Sequence, residues 1–517
     1  MTNTAICTFR DYLWKEKSNR MTLCISIIMI LIQLAIFKYY YPNAGFIDGD
    51  SYVYLDSAFW NKSINTYMVG YSMFLRLFSV FSTSDFLLVS FQYLLIQSGA
   101  LLLLYTIFYF FKPYKFIQYT LLAFVVINPL FLFMANYVSS DGLFLALSLF
   151  WFSTLIWMIN KPSLKIIIYN SALLFFCFTV RYNALIYPVV SLLIISLTRQ
   201  ATRHKIAGIF LIVLSVAGFV IYNGDKYKEL TGKWQYTPFS GWQLANNAMY
   251  AYRYVDSSKR LPVAAKYIKL DNMIRHYFDT TTNPFTHPEI LLRASTVYMW
   301  DPNSPLYKYR NTLFQRDSAV PELQKWASMG PYYSHYGMHI ISKYPGYYFK
   351  YFVWPNACKY YAPPIEFLDH YNSGEDSVKP LAMQWFGYTT AKRLIRVKTL
   401  EVSMLNYYPI LTGIVNAVYL VSILCLTMLG FFKKRTPVSD TLLVVTFLWV
   451  VNAIFTIFSS SAALRFQAFP IILVTLFAVT LIDLMIKNAT SPDEANASSL
   501  NMEEKGKYQP APHHLAG

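Results

Sequence analysis

Charge is scarce in this sequence: Asp, Glu, Lys and Arg make up only 14% of its 517 residues, and 55% of the chain is hydrophobic. A soluble domain carries about a quarter of charged residues, so the shortage excludes an ordinary soluble enzyme and points to an integral membrane protein. Cysteine is equally sparse. Of five, Cys7, Cys24, Cys177 and Cys425 lie in or beside apolar segments and only Cys358 falls in the large polar stretch, which excludes a disulfide framework and a CxxC metal site. No Gly-rich phosphate loop of either nucleotide-binding kind is present, and no internal repeat. His335 and His339 have the spacing of a helical metal-binding pair, but no acidic residue completes an HExxH pattern, so surface histidines are the default. Acidic residues are outnumbered 27 to 44 by basic ones, a net charge of +17. The basic groups flank apolar segments, where they suit anionic headgroups and the positive-inside rule, and no nucleic-acid partner is expected.

What the chain has in abundance is apolar segments near the 17–25 residues a bilayer requires. Ten are expected to span: residues 21–39, 86–111, 116–134, 143–159, 166–180, 184–197, 206–222, 409–432, 442–458 and 466–486. The fifth and sixth are short and share a turn at Arg181. The first follows Arg10, Lys15, Lys17 and Arg20 with no small-residue cleavage site, which reads as a retained anchor. With the N-terminus in the cytoplasm, the cytoplasmic connections become KPYK from Lys112, NKPSLK from Asn160, RQATRHK from Arg199 and KKR from Lys433, all basic. Asp48, Asp50, Asp56, Asp141, Arg181 and Arg465 then collect on the other side.

The expected architecture is an all-α polytopic membrane protein with an extracytoplasmic loop domain, α-rich or mixed. Its parts are an N-terminal transmembrane module (1–222), the loop domain (223–408), C-terminal transmembrane helices (409–486) and a polar, disordered cytoplasmic tail (487–517). Within the loop, HIISKYPGYYFKYFVW from His339 suits either an interfacial helix on the membrane or a buried amphipathic one.

Chemistry is concentrated in residues 47–77, IDGDSYVYLDSAFWNKSINTYMVGYSMFLRL. If a helix runs from Ser51, Asp50 begins it, and Val53, Tyr54 and Ser57 share its face by i+3, i+4, i+7 spacing while Asp48 and Asp56 point elsewhere. Asp50 is either a helix N-cap or a general base beside the membrane surface, placed to act on a headgroup. Arg181 and Arg465 each stand alone at the end of an apolar span: they snorkel to headgroups or hold a phosphate with planar, bidentate donors. Asp141, after Ser139 and Ser140, is a helix cap or a second acidic site that orients substrate or helps bind a divalent cation. Tyr182, Asn183 and GWQLANNAMYAYR from Gly241 are candidates to line a sugar site.

GDSYVYLDSAFWN, VGYSMFLRLF, NPLFLFMANYVSSDGLFLAL, RYNALIYP and LRFQAFPIILV, taken in order over residues 20–222 and 409–486, resemble the membrane-embedded GT-C glycosyltransferases. Bacterial members include relatives of the lipid A aminoarabinose transferase and of the protein O-mannosyltransferases. The resemblance implies a polyprenyl-phosphate-linked sugar donor, transfer on the outer side, and a first-loop aspartate as catalytic base, here Asp50, with Asp48 the second choice. It matches the SSD at Asp141 to the second acidic motif. Two departures stand out: Ser51 follows Asp50 where many members have an Asp-Glu pair, and Gly70, Tyr71, Ser72 stand where many have a GYP-like element.

The leading reading is therefore inverting transfer of one sugar to a lipid, glycan or protein acceptor, with Asp50 as base, Asp141 in support and Arg181 and Arg465 on phosphate. Tyr54 and Tyr182 are further candidate contacts. A transporter or flippase of a lipid-linked saccharide is the alternative, although no matched pair of broken, inverted-repeat spans is present. A surface-polysaccharide polymerase or ligase is another, and would lean on Arg253, Arg275 and His335. The lack of a disulfide set and of a retention signal favours a bacterial inner membrane, while Asn61-Lys-Ser is a formal glycosylation sequon on the outer side.

Overall fold

The structure is a computed structural model and describes residues 8–198, 200–317 and 319–490. Cys7, Arg199 of one basic connection and the expected tail beyond residue 490 lie outside the described residues. Among the described residues every regular element is a helix, and extended pairing is limited to three isolated bridges: Gly45 with Tyr137, His370 with Glu401 and Ser377 with Lys392.

Eight described helices are long and apolar enough to cross a membrane: Lys17–Tyr40, Asp85–Phe111, Lys115–Asn136, Ser140–Asn160, Thr202–Thr231, Ser403–Met428, Pro437–Ser459 and Leu464–Lys487. The two segments around Arg181 form shorter apolar helices, Leu164–Val180 and Tyr182–Leu197. This is the make-up of a multi-pass membrane protein, in which a helix satisfies its backbone groups within its own segment. The helix ends carry the expected punctuation. Side chains of Ser84, Ser139 and Ser163 accept from backbone N–H groups in the first turns that follow them, and Thr436 forms a capping box with Ser439 ahead of Pro437.

Burial sorts the long helices into centre and rim: 72% of the apolar window of Ser140–Asn160 is buried, against 17% for Thr202–Thr231. The main core joins these helices to Leu368, Tyr371, Phe386 and Leu405 from the long polar stretch. A second, aromatic core, with Trp242, Tyr250, Tyr298, Tyr333, Tyr336 and Phe352 at its centre, holds the rest of that stretch together. The helix expected from His339 is divided: Glu322–Lys343 ends at Tyr344, and Pro345 starts a new helical run. The break follows from proline, which lacks the N–H a continuing helix needs. In the second run, Phe349 and Trp354 are exposed while Tyr348, Phe352 and Tyr360 are buried.

One close approach sets the width of the second core. Helix Phe239–Tyr252 crosses Glu322–Lys343 so tightly that a Cβ on Gly241 would collide with the Gly330 carbonyl oxygen. Nothing but glycine fits there. Gly241→Ala is therefore expected to destabilise by about 1–3 kcal/mol through overpacking. Gly346→Ala, whose Cβ meets nothing within 4 Å, is the neutral control. Thermal unfolding of the detergent-solubilised protein, followed by tryptophan fluorescence, reads both, and an unchanged midpoint for Gly241→Ala would contradict the packing.

Candidate functional site

The first loop is held in place by backbone pairing to the turn that precedes Ser140–Asn160. Gly45 N–H donates to the Asn136 carbonyl at 2.8 Å, and Val138 N–H donates to the Gly45 carbonyl at 3.0 Å. Phe46 N–H donates to Asn372 Oδ1 at 2.8 Å, tying the same loop to the long polar stretch. Gly49 then adopts φ +82°, a left-handed conformation that glycine takes without steric cost, and turns the chain into helix Asp50–Phe59. Tyr54, buried on that helix, shares a 2.8 Å hydrogen bond with Ser140 Oγ. Docking the loop in this way brings Asp50 beside Asp141, 91 positions further along the chain.

Arg465 binds both carboxylates. Its Nη2 donates to Asp50 Oδ2 at 2.7 Å and its Nη1 donates to Asp141 Oδ2 at 3.4 Å. The other oxygen of Asp141 accepts from Arg181, and Ser139 Oγ donates to Oδ2 at 2.6 Å. The other oxygen of Asp50 accepts from Tyr67 OH at 2.8 Å. The Phe466 ring lies beside both guanidiniums, 4.5 Å from that of Arg465 and 5.2 Å from that of Arg181, with Phe367 at 4.7 Å from Arg465. Side-chain exposure is 5% for Arg465, 3% for Asp141, 15% for Arg181 and 20% for Asp50. Two carboxylates and two guanidiniums balance in formal charge, as buried ions must. Burial pushes the Tyr67 phenol well above its usual pKa and Asp50 beside it pushes the same way, so Tyr67 is a proton donor to that carboxylate.

Neither aspartate is a side-chain cap. Helix Asp50–Phe59 has Gly49 as its N-cap residue with no side-chain cap bond, and Ser139 caps Ser140–Asn160 by accepting from Asp141 N–H. Neither arginine snorkels outward; both turn in to the carboxylates. The Arg465 position depends on buried Asn356, which donates to the Thr456, Ile457 and Ser460 carbonyls and accepts from Ala462 N–H, clamping the turn before helix Leu464–Thr490.

Above this cluster opens a cavity of about 990 Å³, lined by Asp50, Arg181 and Arg465 on one side and by Trp300, Trp326 and Arg310 of the long polar stretch on another. Asp141 is set behind the lining, in contact with it through the two arginines. Tyr54, Tyr182 and Asn183 line the cavity, Tyr182 sharing a 2.6 Å hydrogen bond with Thr237. From the segment at Gly241, Gln243, Leu244 and Asn247 reach it. Asp48 sits on its exposed rim, 64% accessible and paired with Lys379, and Asp56 is engaged by Lys62 at 2.5 Å and Asn65 at 3.1 Å. A second hollow, between Tyr361 and Gly413, is open and apolar and has no carboxylate or guanidinium in its lining.

Arg253, Arg275 and His335 do not line the large cavity: Arg275 pairs with Asp271 at 2.6 Å, and His335 Nδ1 lies 2.7 Å from the Pro331 carbonyl. Among the described residues no three His, Cys, Asp or Glu side chains group as metal ligands, His335 and His339 included. A divalent cation does not fit between Asp50 and Asp141, because the arginines already occupy the inner sides of both carboxylates. Tyr67, Asn356, Trp300 and Arg310 were not singled out by sequence reasoning. Tyr67 lies 17 positions after Asp50 with no helical spacing to suggest contact, and the other three come from the long stretch, where local pattern carries no signal.

No family model matches the chain, and neither a curated protein nor a solved structure is significantly similar to it.

The ion cluster generates a sharp contrast in stability. Arg465→Gln leaves buried Asp141 and partly buried Asp50 each short of a partner and is expected to cost about 3–5 kcal/mol, whereas Asp48→Asn breaks an exposed pair worth about 0–1 kcal/mol. Unfolding midpoints in detergent measure both. Equal effects would contradict the cluster as the structural keystone.

Proposed function

We propose that the chain is an integral membrane glycosyltransferase that moves a sugar from a polyprenyl-phosphate donor to a lipid, glycan or protein acceptor, with inversion at the anomeric carbon. The observation that carries this reading is the cavity floor. One partly accessible carboxylate, Asp50, lies beside two guanidiniums, Arg465 and Arg181, in a hollow of about 990 Å³ at the ends of apolar helices. A lipid phosphate and a sugar need those three things together: a cationic seat, a base and an apolar approach for the prenyl chain.

In this mechanism the donor phosphate binds Arg181 and Arg465, whose donors suit phosphate as well as carboxylate. The acceptor hydroxyl gives its proton to Asp50 while its oxygen attacks the anomeric carbon. The bond from that carbon to the phosphate oxygen breaks, and its electron pair leaves with the polyprenyl phosphate. The arginines offset the charge that develops there, the term on which such transition states depend most. Asp141 is a positioning residue: it touches no substrate and orients both arginines from behind. Tyr67 keeps one oxygen of Asp50 in place, so the other is the one exchanged between Arg465 and the incoming proton.

The membrane arrangement that goes with this reading has ten spans, the two shorter helices around Arg181 included, with both termini in the cytoplasm. The cavity then faces the extracytoplasmic side of a bacterial inner membrane, roofed by the 223–408 stretch. A partly accessible carboxylate in a cation seat favours group transfer over simple transport, and the absence of Arg253, Arg275 and His335 from the cavity lining weighs against a chemistry built on them.

Transfer from radiolabelled polyprenyl-phosphate sugars in membranes tests the reading. Asp50→Asn, which keeps the size but cannot take the proton, is expected to lose about 100-fold or more in rate at normal abundance. Asp48→Asn is expected to stay near wild type. Full transfer by Asp50→Asn would move the chemistry elsewhere.

A further inference from the structure

The cavity wall that carries Trp300 and Trp326 has its own order. The two oxygens of Asp50 face different surroundings: Oδ2 meets Arg465 and Oδ1 meets the Tyr67 hydroxyl. From Tyr67 the aromatic surface continues. Its ring is 5.8 Å from Trp300, Trp300 stands 6.4 Å from Trp326 at 4° between planes, and Trp326 stands 5.6 Å from Trp242 at 8°. Three indoles thus form a nearly parallel ladder, and Tyr67, Trp300 and Trp326 all line the cavity. The indole nitrogen of Trp326 is buried with no hydrogen-bond partner among the described residues, an uncommon state for a polar group. Beside the ladder lie groups that can donate and accept: Arg310 paired with Glu322 at 3.1 Å, and Gln243 donating to Asn247 Oδ1 at 2.7 Å.

We propose that the cavity end of this ladder, Trp300 with Tyr67 beside it and Trp326 and Trp242 stacked behind, is the acceptor subsite and that the acceptor it takes is a saccharide, free or as a lipid headgroup; the proposal rests on the transfer reading above. A pyranose has one face of C–H groups and a rim of hydroxyls. The C–H face packs on the electron-rich face of an indole, and the rim hydroxyls need convergent donors and acceptors of the kind Arg310, Glu322, Gln243 and Asn247 supply. A peptide acceptor recognised by strand addition needs an open sheet edge, and the regular elements of this wall are helices. The acceptor hydroxyl then meets Asp50 at Oδ2, the oxygen that donor binding frees from Arg465, because Oδ1 is held by Tyr67.

The test uses the full chain in detergent. Soluble oligosaccharides of hexose and N-acetylhexosamine types are titrated with saturation-transfer NMR and tryptophan fluorescence, and polyprenyl phosphate binding is followed separately by native mass spectrometry. Saturable binding of at least one oligosaccharide type through its C–H protons is expected. Trp300→Ala should weaken it about tenfold and Trp300→Phe, which keeps a ring, no more than about threefold, with polyprenyl phosphate binding retained in both. Polyprenyl phosphate binding without any saccharide binding, or saccharide binding indifferent to Trp300→Ala, overturns the subsite and leaves the transfer reading standing. Saccharide binding that depends on Trp300, with no polyprenyl phosphate binding, supports the subsite and overturns the donor.

Discussion

Arg465 is the side chain on which the rest of the site depends, because one guanidinium is shared between Asp50 of the first loop and Asp141 at the head of a central helix. Sharing is what makes the arrangement rigid. A planar fork satisfies two carboxylates at once only if both elements and the last long helix hold their relative positions. Each of those elements is separately braced: the first loop by its pairing with Asn136 and Val138, the central helix by its Ser139 cap, and the last helix by the Asn356 clamp. Phe466 and Phe367 cover the guanidinium with ring surface, so a charge that is costly to bury has a partner on every side except Nε.

This arrangement gives the proposed chemistry a consequence. A base whose free oxygen is engaged by a cation has little use until something else takes that cation. A lipid phosphate is such a competitor, since arginine binds carboxylate and phosphate in the same planar manner. On this account donor binding at Arg465 and the release of Asp50 are one event, and Arg181, anchored on Asp141, keeps part of the cationic seat in place throughout. Asp141 needs no contact with substrate to matter.

The sequence showed the helices because apolar segments of membrane length are a strong signal: each of the ten expected segments falls on helix in the structure, the third broken at Asn128 and the eighth ending at Met428. Asp50, Asp141, Arg181 and Arg465 were equally visible, as charges standing beside apolar spans. What the residues alone left open was whether they cap, snorkel or meet. That is settled by tertiary approach, chiefly the docking of Gly45 on the turn before Asp141, which leaves no trace in local spacing. The aromatic ladder was hidden for the same reason. Trp242, Trp300 and Trp326 lie in three separate parts of an aromatic-rich stretch, where any one tryptophan looks like ordinary core. Asn356 was hidden just beyond the HIISKYPGYYFKYFVW segment, in a local context that gives no sign that its side chain clamps the backbone before Leu464.

The most direct measurement is a cryo-electron microscopy structure of the full protein with a non-hydrolysable polyprenyl phosphonate sugar. The phosphonate is expected between Arg181 and Arg465, at about 3 Å from their nitrogens, with the Asp50 carboxylate released from Arg465 and the anomeric carbon facing Asp50. A phosphonate bound elsewhere, with the Asp50–Arg465–Asp141 cluster intact beneath it, would contradict the account.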